Sequence, residues 1–306
     1  GLSLAYKKDK KSLTIGAKIA SSDLEQNNLI NNIDFKRIFI NFLPNANFEY
    51  KFSKQSSFKF TYNGVTQQPR VNQLQPIQNN NDPLNITLGN RDLNIAFTNR
   101  FNANFDSYKV LTSRSIWTYA SYSFTNNDIV SDVSTDAAGK RILRFINLKG
   151  KKTSNFYFGA SYGAKIGSSK FNWNSGFYTN GNTNFNLVTD TTSITKTNKN
   201  ESYNINPSFS ISSYEEKYAL SLSISPGYQI NKSSLQPFQN ANGYLLEIYG
   251  RLSYTFAGKV RLESDLNYSL QEKTTAFNTN FDRFIINSSL SKTFLKKDNI
   301  KLFSFK

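Results

Sequence analysis

Residues 244–256 read YLLEIYGRLSYTF, and residues 260–270 read VRLESDLNYSL. In the first stretch Tyr244, Leu246, Ile248, Gly250, Leu252, Tyr254 and Phe256 share one parity, and Glu247, Tyr249, Arg251, Ser253 and Thr255 share the other. In the second, Val260, Leu262, Leu266, Tyr268 and Leu270 oppose Arg261, Glu263, Asp265, Asn267 and Ser269. A period of two places alternate side chains on opposite faces of a β-strand. One face is greasy and the other charged, so each strand lies between oil and water. A soluble sandwich, whose core is the oil, also meets that condition. Length separates the two cases. These strands run about 11 to 14 residues, against a usual five or six in soluble sheets and 9 to 11 for a tilted membrane crossing.

The same rhythm extends outward. Phe156, Phe158, Ala160, Tyr162, Ala164 and Ile166 alternate with Tyr157, Gly159, Ser161, Gly163 and Lys165. From Tyr218 to Ile230 the apolar parity is Tyr218, Leu220, Leu222, Ile224, Pro226, Tyr228 and Ile230. Two segments are longer than one crossing. Ile38 to Phe52 keeps parity through Pro44, and Ile142, Ile146 and Leu148 keep parity with Phe156 and Phe158 across Gly150. Each is read as a single bent strand, Lys36 to Ser53 and Lys140 to Ile166. Pro44, which has no ladder donor, is expected at a bulge or at the strand's extramembrane end. About 14 strands result, from Leu2–Tyr6 to Lys301–Lys306.

Connections alternate in length. Short ones fall at Lys7–Lys11, Lys54–Ser56, Lys109–Ser113, Gly167–Lys170, Ser213–Glu216, Ala257–Lys259 and Lys296–Asn299. Longer ones fall at Ser22–Asn32, Thr66–Ala96, Leu187–Asn198, Asn231–Asn242 and Gln271–Phe281. Short turns at one end and long loops at the other are the layout of a membrane barrel. Aromatic residues near strand ends, such as Phe48 with Tyr50 and Tyr254 with Phe256, are expected in interfacial girdles. The fold class expected is therefore all-β, a transmembrane antiparallel β-barrel.

Composition removes other functions. The 306 residues hold no Cys, His or Met, so disulfides, thiolate or imidazole catalysis and Cys or His metal ligation are excluded. The net charge of +16 is spread over short turns and forms no arginine-rich groove, so no nucleic-acid partner is expected. No apolar run is long enough for a transmembrane helix. No catalytic residue, cofactor or metal is expected. Glu247, Glu263 and Asp265 are acidic, yet nothing pairs them for glycoside hydrolysis.

Three polar groups remain as candidates. Glu247, Arg251, Arg261, Glu263 and Asp265 are expected to form a charge ladder facing a lumen. The loop from Asn72 to Asn94 is rich in amides that suit a sugar, a peptide or an oxygen-ligated cation, without EF-hand spacing. The clusters Lys7, Lys8, Lys10, Lys11, then Lys149, Lys151, Lys152, then Lys296 and Lys297, suit lipid phosphates or plain solubility.

The segment from Gln68 to Pro76, followed by Asp82 to Leu93, resembles a loop-and-re-entry pattern of TonB-dependent outer-membrane receptors, of the barrel type common in Bacteroidetes. Pro69, Leu74, Pro76, Gly89, Asn90 and Leu93 match it; Arg91, Ile95 and Ala96 depart from it. The resemblance implies a barrel of about 22 strands plugged by an N-terminal domain. Residues 1–306 would then be a partial barrel domain, without the plug and first strands and short of the last ones. It implies uptake of a sugar, peptide or metal chelate, driven by a TonB-type energy-coupling protein if a plug exists in the full chain. Further implied partners are outer-membrane lipid, lipopolysaccharide and a surface lipoprotein, with long loops extracellular and short turns periplasmic. The rival expectations are a non-transporting barrel that scaffolds an outer-membrane complex, and a soluble β-sandwich.

Overall fold

The computed structural model describes residues 1–28, 33–74, 84–136, 138–192, 194–237, 240–274, 278–294 and 300–304. Seventeen strands belong to one sheet. In chain order they are β1 (Leu2–Lys8), β2 (Lys11–Asn28), β3 (Ile33–Ser53), β4 (Ser56–Gln67), β5 (Asn85–Leu88), β6 (Ala96–Lys109), β7 (Arg114–Asn126), β8 (Ile129–Thr135) and β9 (Arg141–Asn147). They continue as β10 (Thr153–Lys165), β11 (Asn172–Thr189), β12 (Thr195–Tyr214), β13 (Tyr218–Ser233), β14 (Gly243–Thr255), β15 (Val260–Gln271), β16 (Phe281–Phe294) and β17 (Ile300–Ser304). One four-residue helix, α1 (Val71–Leu74), follows β4.

Fourteen of these strands, all but β5, β8 and β9, form an antiparallel meander in which each pairs with the next wall strand along the chain. Among the described residues β1 pairs only with β2, and β17 only with β16. The apolar parity never changes face. One row of directly opposed residues runs Tyr6, Leu13, Phe48, Phe60, Ala103, Ala120, Phe158, Thr179, Ile205, Tyr228, Tyr244 across β1 to β14. A one-residue slip anywhere would invert every later side chain. Alternation within strands and register between them therefore agree over the whole wall.

Turns at one end are tight because their residues accept left-handed backbone. Asp9 (φ 50°) closes β1–β2, and Gly258 (φ 76°) with Lys259 (φ 59°) closes β14–β15. At the other end β2, β3, β11 and β12 run on past their neighbours as arms. The span Leu187–Asn198, expected as a loop, is mostly strand, since β11 runs to Thr189 and β12 begins at Thr195. Likewise β2 continues to Asn28.

The segment Ile33–Ser53 is a single strand through Pro44, as its parity requires. No bulge sits there; the register shift between β3 and β4 lies at Lys51/Ser53. Pairing of β3 with β4 begins at Asn45↔Asn63, one residue inside Pro44, whereas β2 stays paired to Ile33. The missing N–H thus ends the β4 ladder only. Gly64 lies against the proline: a Cβ there would meet Pro44 Cδ at 2.7 Å and Phe97 Cζ at 2.6 Å.

The expected single strand Lys140–Ile166 is instead two. Gly150 (φ 68°) lies between β9 and β10. While β10 joins the wall between β7 and β11, β9 pairs antiparallel with β8 and parallel with β5. In turn β8 runs parallel to the β11 arm at Leu187–Thr189. Strands β5, β8 and β9 form a cap at the arm end. Its parity matched that of β10 because Leu148 is apolar for a different reason: it is buried in the cap.

Candidate functional site

The two faces of the wall differ in kind. Large exposed hydrophobic residues crowd the apolar face, among them Ile19, Ile40, Phe42, Leu222, Leu252, Ile286 and Leu290. Among the described residues no second sheet covers them, which argues against the sandwich. In β13 and β14 the apolar stretch has aromatic ends. Tyr218 stands opposite Tyr254 and Tyr228 opposite Tyr244, with Leu220↔Leu252, Leu222↔Gly250, Ile224↔Ile248 and Pro226↔Leu246 between them. Ten residues of strand are about 33 Å, which at a tilt of about 40° gives about 25 Å of height, the apolar thickness of a membrane barrel.

The opposite face is polar and divides into three sectors. On β3–β6, Glu49 lies 3.9 Å from Lys51 and 3.7 Å from Lys59. On β14–β15, Arg251 is paired across the ladder with Asp265 at 3.6 Å, the Tyr249 hydroxyl donates to Asp265 at 3.1 Å, and Arg261 reaches Glu263 at 3.0 Å along its own strand. Four of the five expected ladder residues are therefore brought into pairs. Glu247 shares their face but stands between Ser225 and Ser269 and joins neither pair. These side chains are all substantially exposed, so each pair contributes little stability, about 0–1 kcal/mol.

Between these sectors the wall from β7 to β13 carries Ser, Thr, Asn, Gln, Gly and aromatic residues on its polar face, with Val188 and Ala219 the aliphatic exceptions and Lys165 and Lys196 at its two ends. Four rings gather there, which the sequence reading passed over as candidates. Trp117 lies 6.4 Å from Tyr119 and 6.4 Å from Tyr178, and Tyr119 lies 5.8 Å from Tyr157. They rest on glycines. A Cβ on Gly159 would meet the Trp117 ring and the Tyr157 hydroxyl oxygen at 2.9 Å, and one on Gly176 would meet Tyr178 Cε2 at 2.7 Å. The signal in the sequence was the polar parity Tyr157-x-Gly159, a ring beside a glycine where small polar residues otherwise stand.

The cap closes the arm end. The buried apolar side chains among the described residues are Leu74, Ile86, Leu93, Val130 and Leu148, with Phe39 within the β3 arm and Ala96 at the start of β6. Of the expected loop motif, Pro69, Leu74 and Leu93 are buried, and Leu74 and Leu93 are at most 1% exposed. Asn90, following Gly89, donates its backbone N–H to Gln73 O at 2.6 Å and its amide to Phe145 O at 2.9 Å, and accepts from Asp92 N. Pro76 lies outside the described residues, as do Lys296 and Lys297. Asn147 accepts from Asn94 N and donates to the carbonyls of Asn94 and Asn127. Arg37 of β3 donates to Arg91 O at 2.6 Å and to Asn94 Oδ1 at 2.8 Å. Among the described residues Gln73, Asn90 and Asn94 have their amides engaged, with Arg70 N, with Asp92 N and Phe145 O, and with Arg37 respectively. They fix a fold more than they offer free ligands.

A wall with a bilayer-high apolar face, aromatic ends and a wet opposite face defines an integral membrane β-barrel protein. The chain belongs to the outer membrane protein beta-barrel family, whose family model matches residues 2–236. Among curated proteins none matches it. Family and fold together assign it to the outer membrane.

Proposed function

We propose that this barrel takes up a solute across the outer membrane, driven by a TonB-type energy-coupling protein acting on a plug. One observation carries this reading. The polar face is lined with amides, hydroxyls, rings and paired charges, and a barrel built with fourteen or more wall strands would enclose more space than the roughly eight whose own side chains fill a barrel. Such a lumen has room for a plug or for a passing solute. The loop residues Pro69, Leu74, Gly89, Asn90 and Leu93, of which Pro69, Leu74 and Leu93 are buried, belong to the receptor-like re-entry pattern and support the same reading. In this reading the cap end faces outside, where a surface lipoprotein would meet it, and the short basic turns face the periplasm. No bond chemistry takes place: loops capture, the lumen conducts, and energy from the inner membrane releases the block.

Uptake by cells expressing the full-length protein, with and without a functional energy-coupling partner, tests it. Accumulation of a solute that stops when the coupling protein is removed is the expected result. A second reading, a scaffold for an outer-membrane complex, draws on the rigid packing of the cap, which offers a fixed surface to a partner. Stoichiometric co-purification with no coupling-dependent uptake would favour the scaffold.

A further inference from the structure

We propose that the uncharged sector of the polar face is a binding track for a neutral oligosaccharide, with Trp117 and Tyr178 as its stacking platform. The inference rests on the uptake reading and names its class of solute.

Three adjacent rows of cross-strand neighbours carry it. The middle row runs Asn104, Tyr119, Gly159, Tyr178, Asn206 across β6, β7, β10, β11 and β12. The row toward the cap runs Asn102, Ser121, Tyr157, Asn180, Asn204. The row toward the turns runs Asp106, Trp117, Ser161, Gly176, Ser208. Rings therefore lie in a patch bordered by amides toward the cap and, toward the turns, by the hydroxyls of Ser161 and Ser208 with Asp106 at the β6 edge. Because Gly159 and Gly176 lack side chains, the rings of Trp117 and Tyr178 occupy the space that a Cβ at those positions would fill. All four rings remain partly exposed.

A sugar ring has an apolar face of C–H groups and an equatorial rim of hydroxyls. It therefore suits an aromatic face bordered by amides that donate and accept. Charge argues the same way. The chain carries +16 overall, yet among the described residues β7 to β13 place no ionic side chain on this face between Lys165 and Lys196; the nearest are Asp106 and Arg100 on β6, at one edge of the patch, where Asn104 donates to Asp106. Over β10, β11 and β12 a charged chelate or peptide would find no counter-ion, whereas a neutral polyhydroxylated chain needs none. The orientation of the platform is held from behind: the Tyr119 hydroxyl donates to Asn102 Oδ1 at 3.0 Å, and Asn102 donates to Thr61 at 3.3 Å.

The protein holds two tryptophans, and Trp173 sits on the apolar face opposite Ala164 and Ile211. In full-length Trp173→Phe protein in detergent, Trp117 becomes this chain's only tryptophan and a reporter inside the track. Titration with maltohexaose, laminarihexaose, mannohexaose and chitohexaose, to about 10 mM, a range that detects millimolar binding, is expected to give a saturable change in its emission with at least one of them. Calorimetry with that sugar is expected to weaken at least tenfold in Tyr178→Ala and Trp117→Ala, and to recover in part in Trp117→Phe, each variant being checked for folding by heat-modifiable gel mobility. No saturable response to any of the four sugars, or equal binding by the folded alanine variants, overturns the proposal, as does a response only to ferric citrate or to a hexapeptide. The readout needs no energy coupling. Failure here leaves uptake of another solute standing, and loss of coupling-dependent uptake with intact binding would remove the uptake reading alone.

Discussion

The wall and the cap solve the same problem with different solvents. Along the wall, Leu222, Ile224, Leu252 and Ile286 point away from the polar face and remain exposed, because hydrocarbon outside the molecule takes the place of a core. In the cap, Leu74, Ile86, Leu93, Val130 and Leu148 are buried among themselves, because water surrounds that end. Both regions are strands with alternating parity. What differs is where the oil lies. Between its two outer edges the wall is therefore held by long ladders that pair each strand with its neighbours, as a membrane demands. The cap is held by a small packed core and by asparagine side chains standing in for ladder partners.

That contrast can be broken in measurable steps. Leu93→Ala empties a fully buried site and is expected to cost the cap about 2–5 kcal/mol. Faster hydrogen exchange and protease cutting between β4 and β10 would report it, with the wall strands unchanged; equal loosening of β13 would show the two regions to be one unit. Leu222→Arg places a charge within the apolar height and is expected to cost about 2–4 kcal/mol in refolding into lipid vesicles. The same change at Ser223, on the wet face, is expected to cost far less. Asn147→Ala removes three hydrogen bonds in the cap, with an expected loss of about 1–3 kcal/mol, read again as local exchange.

The smallest effect concerns the arm tip. Asp190 accepts from the backbone and hydroxyl of Thr192 and from Ile194 N, and chiefly the Thr192 side chain holds its carboxyl below the ordinary 3.8. The folded value is the lower one, so the turn gains from ionised Asp190 above the ordinary carboxylate range. That gain is lost as pH falls through the lowered value. Exchange of the Thr192 and Ile194 amides is expected to quicken on acidification in the native protein and to be fast and pH-independent, after correction for intrinsic rates, in Asp190→Ala.

Much of this was legible beforehand. The parity of Tyr218–Ile230 and Tyr244–Phe256 fixed which residues share a face, and the fourteen wall strands agree with the number expected from that parity. Continuity through Pro44 was readable because alternation survives it. Residues 140–166 misled because alternation reports an oil–water boundary without saying which oil: Ile146 and Leu148 alternate against a protein core and Phe156 and Phe158 against lipid. The arms around Thr189 and Thr195 looked like loop because polar residues dominate there and alternation is weak, yet amide contacts such as Asn200 with Asn186 cross between the paired strands. The charge ladder followed from neighbouring strands of matching parity, and Glu247 dropped out only because serines face it. The ring platform depends on three strands laid side by side, which no single segment reveals.

The claim on which everything else stands is that the apolar face of the wall touches lipid. The chain has no cysteine, so single cysteines at positions 219 to 224 of β13 can each carry a fluorophore in reconstituted vesicles. The account predicts alternation: labels at Leu220, Leu222 and Ile224 are quenched by a lipid-borne quencher, and those at Ala219, Ser221 and Ser223 by a water-soluble one. Uniform quenching by either agent along the series would contradict it.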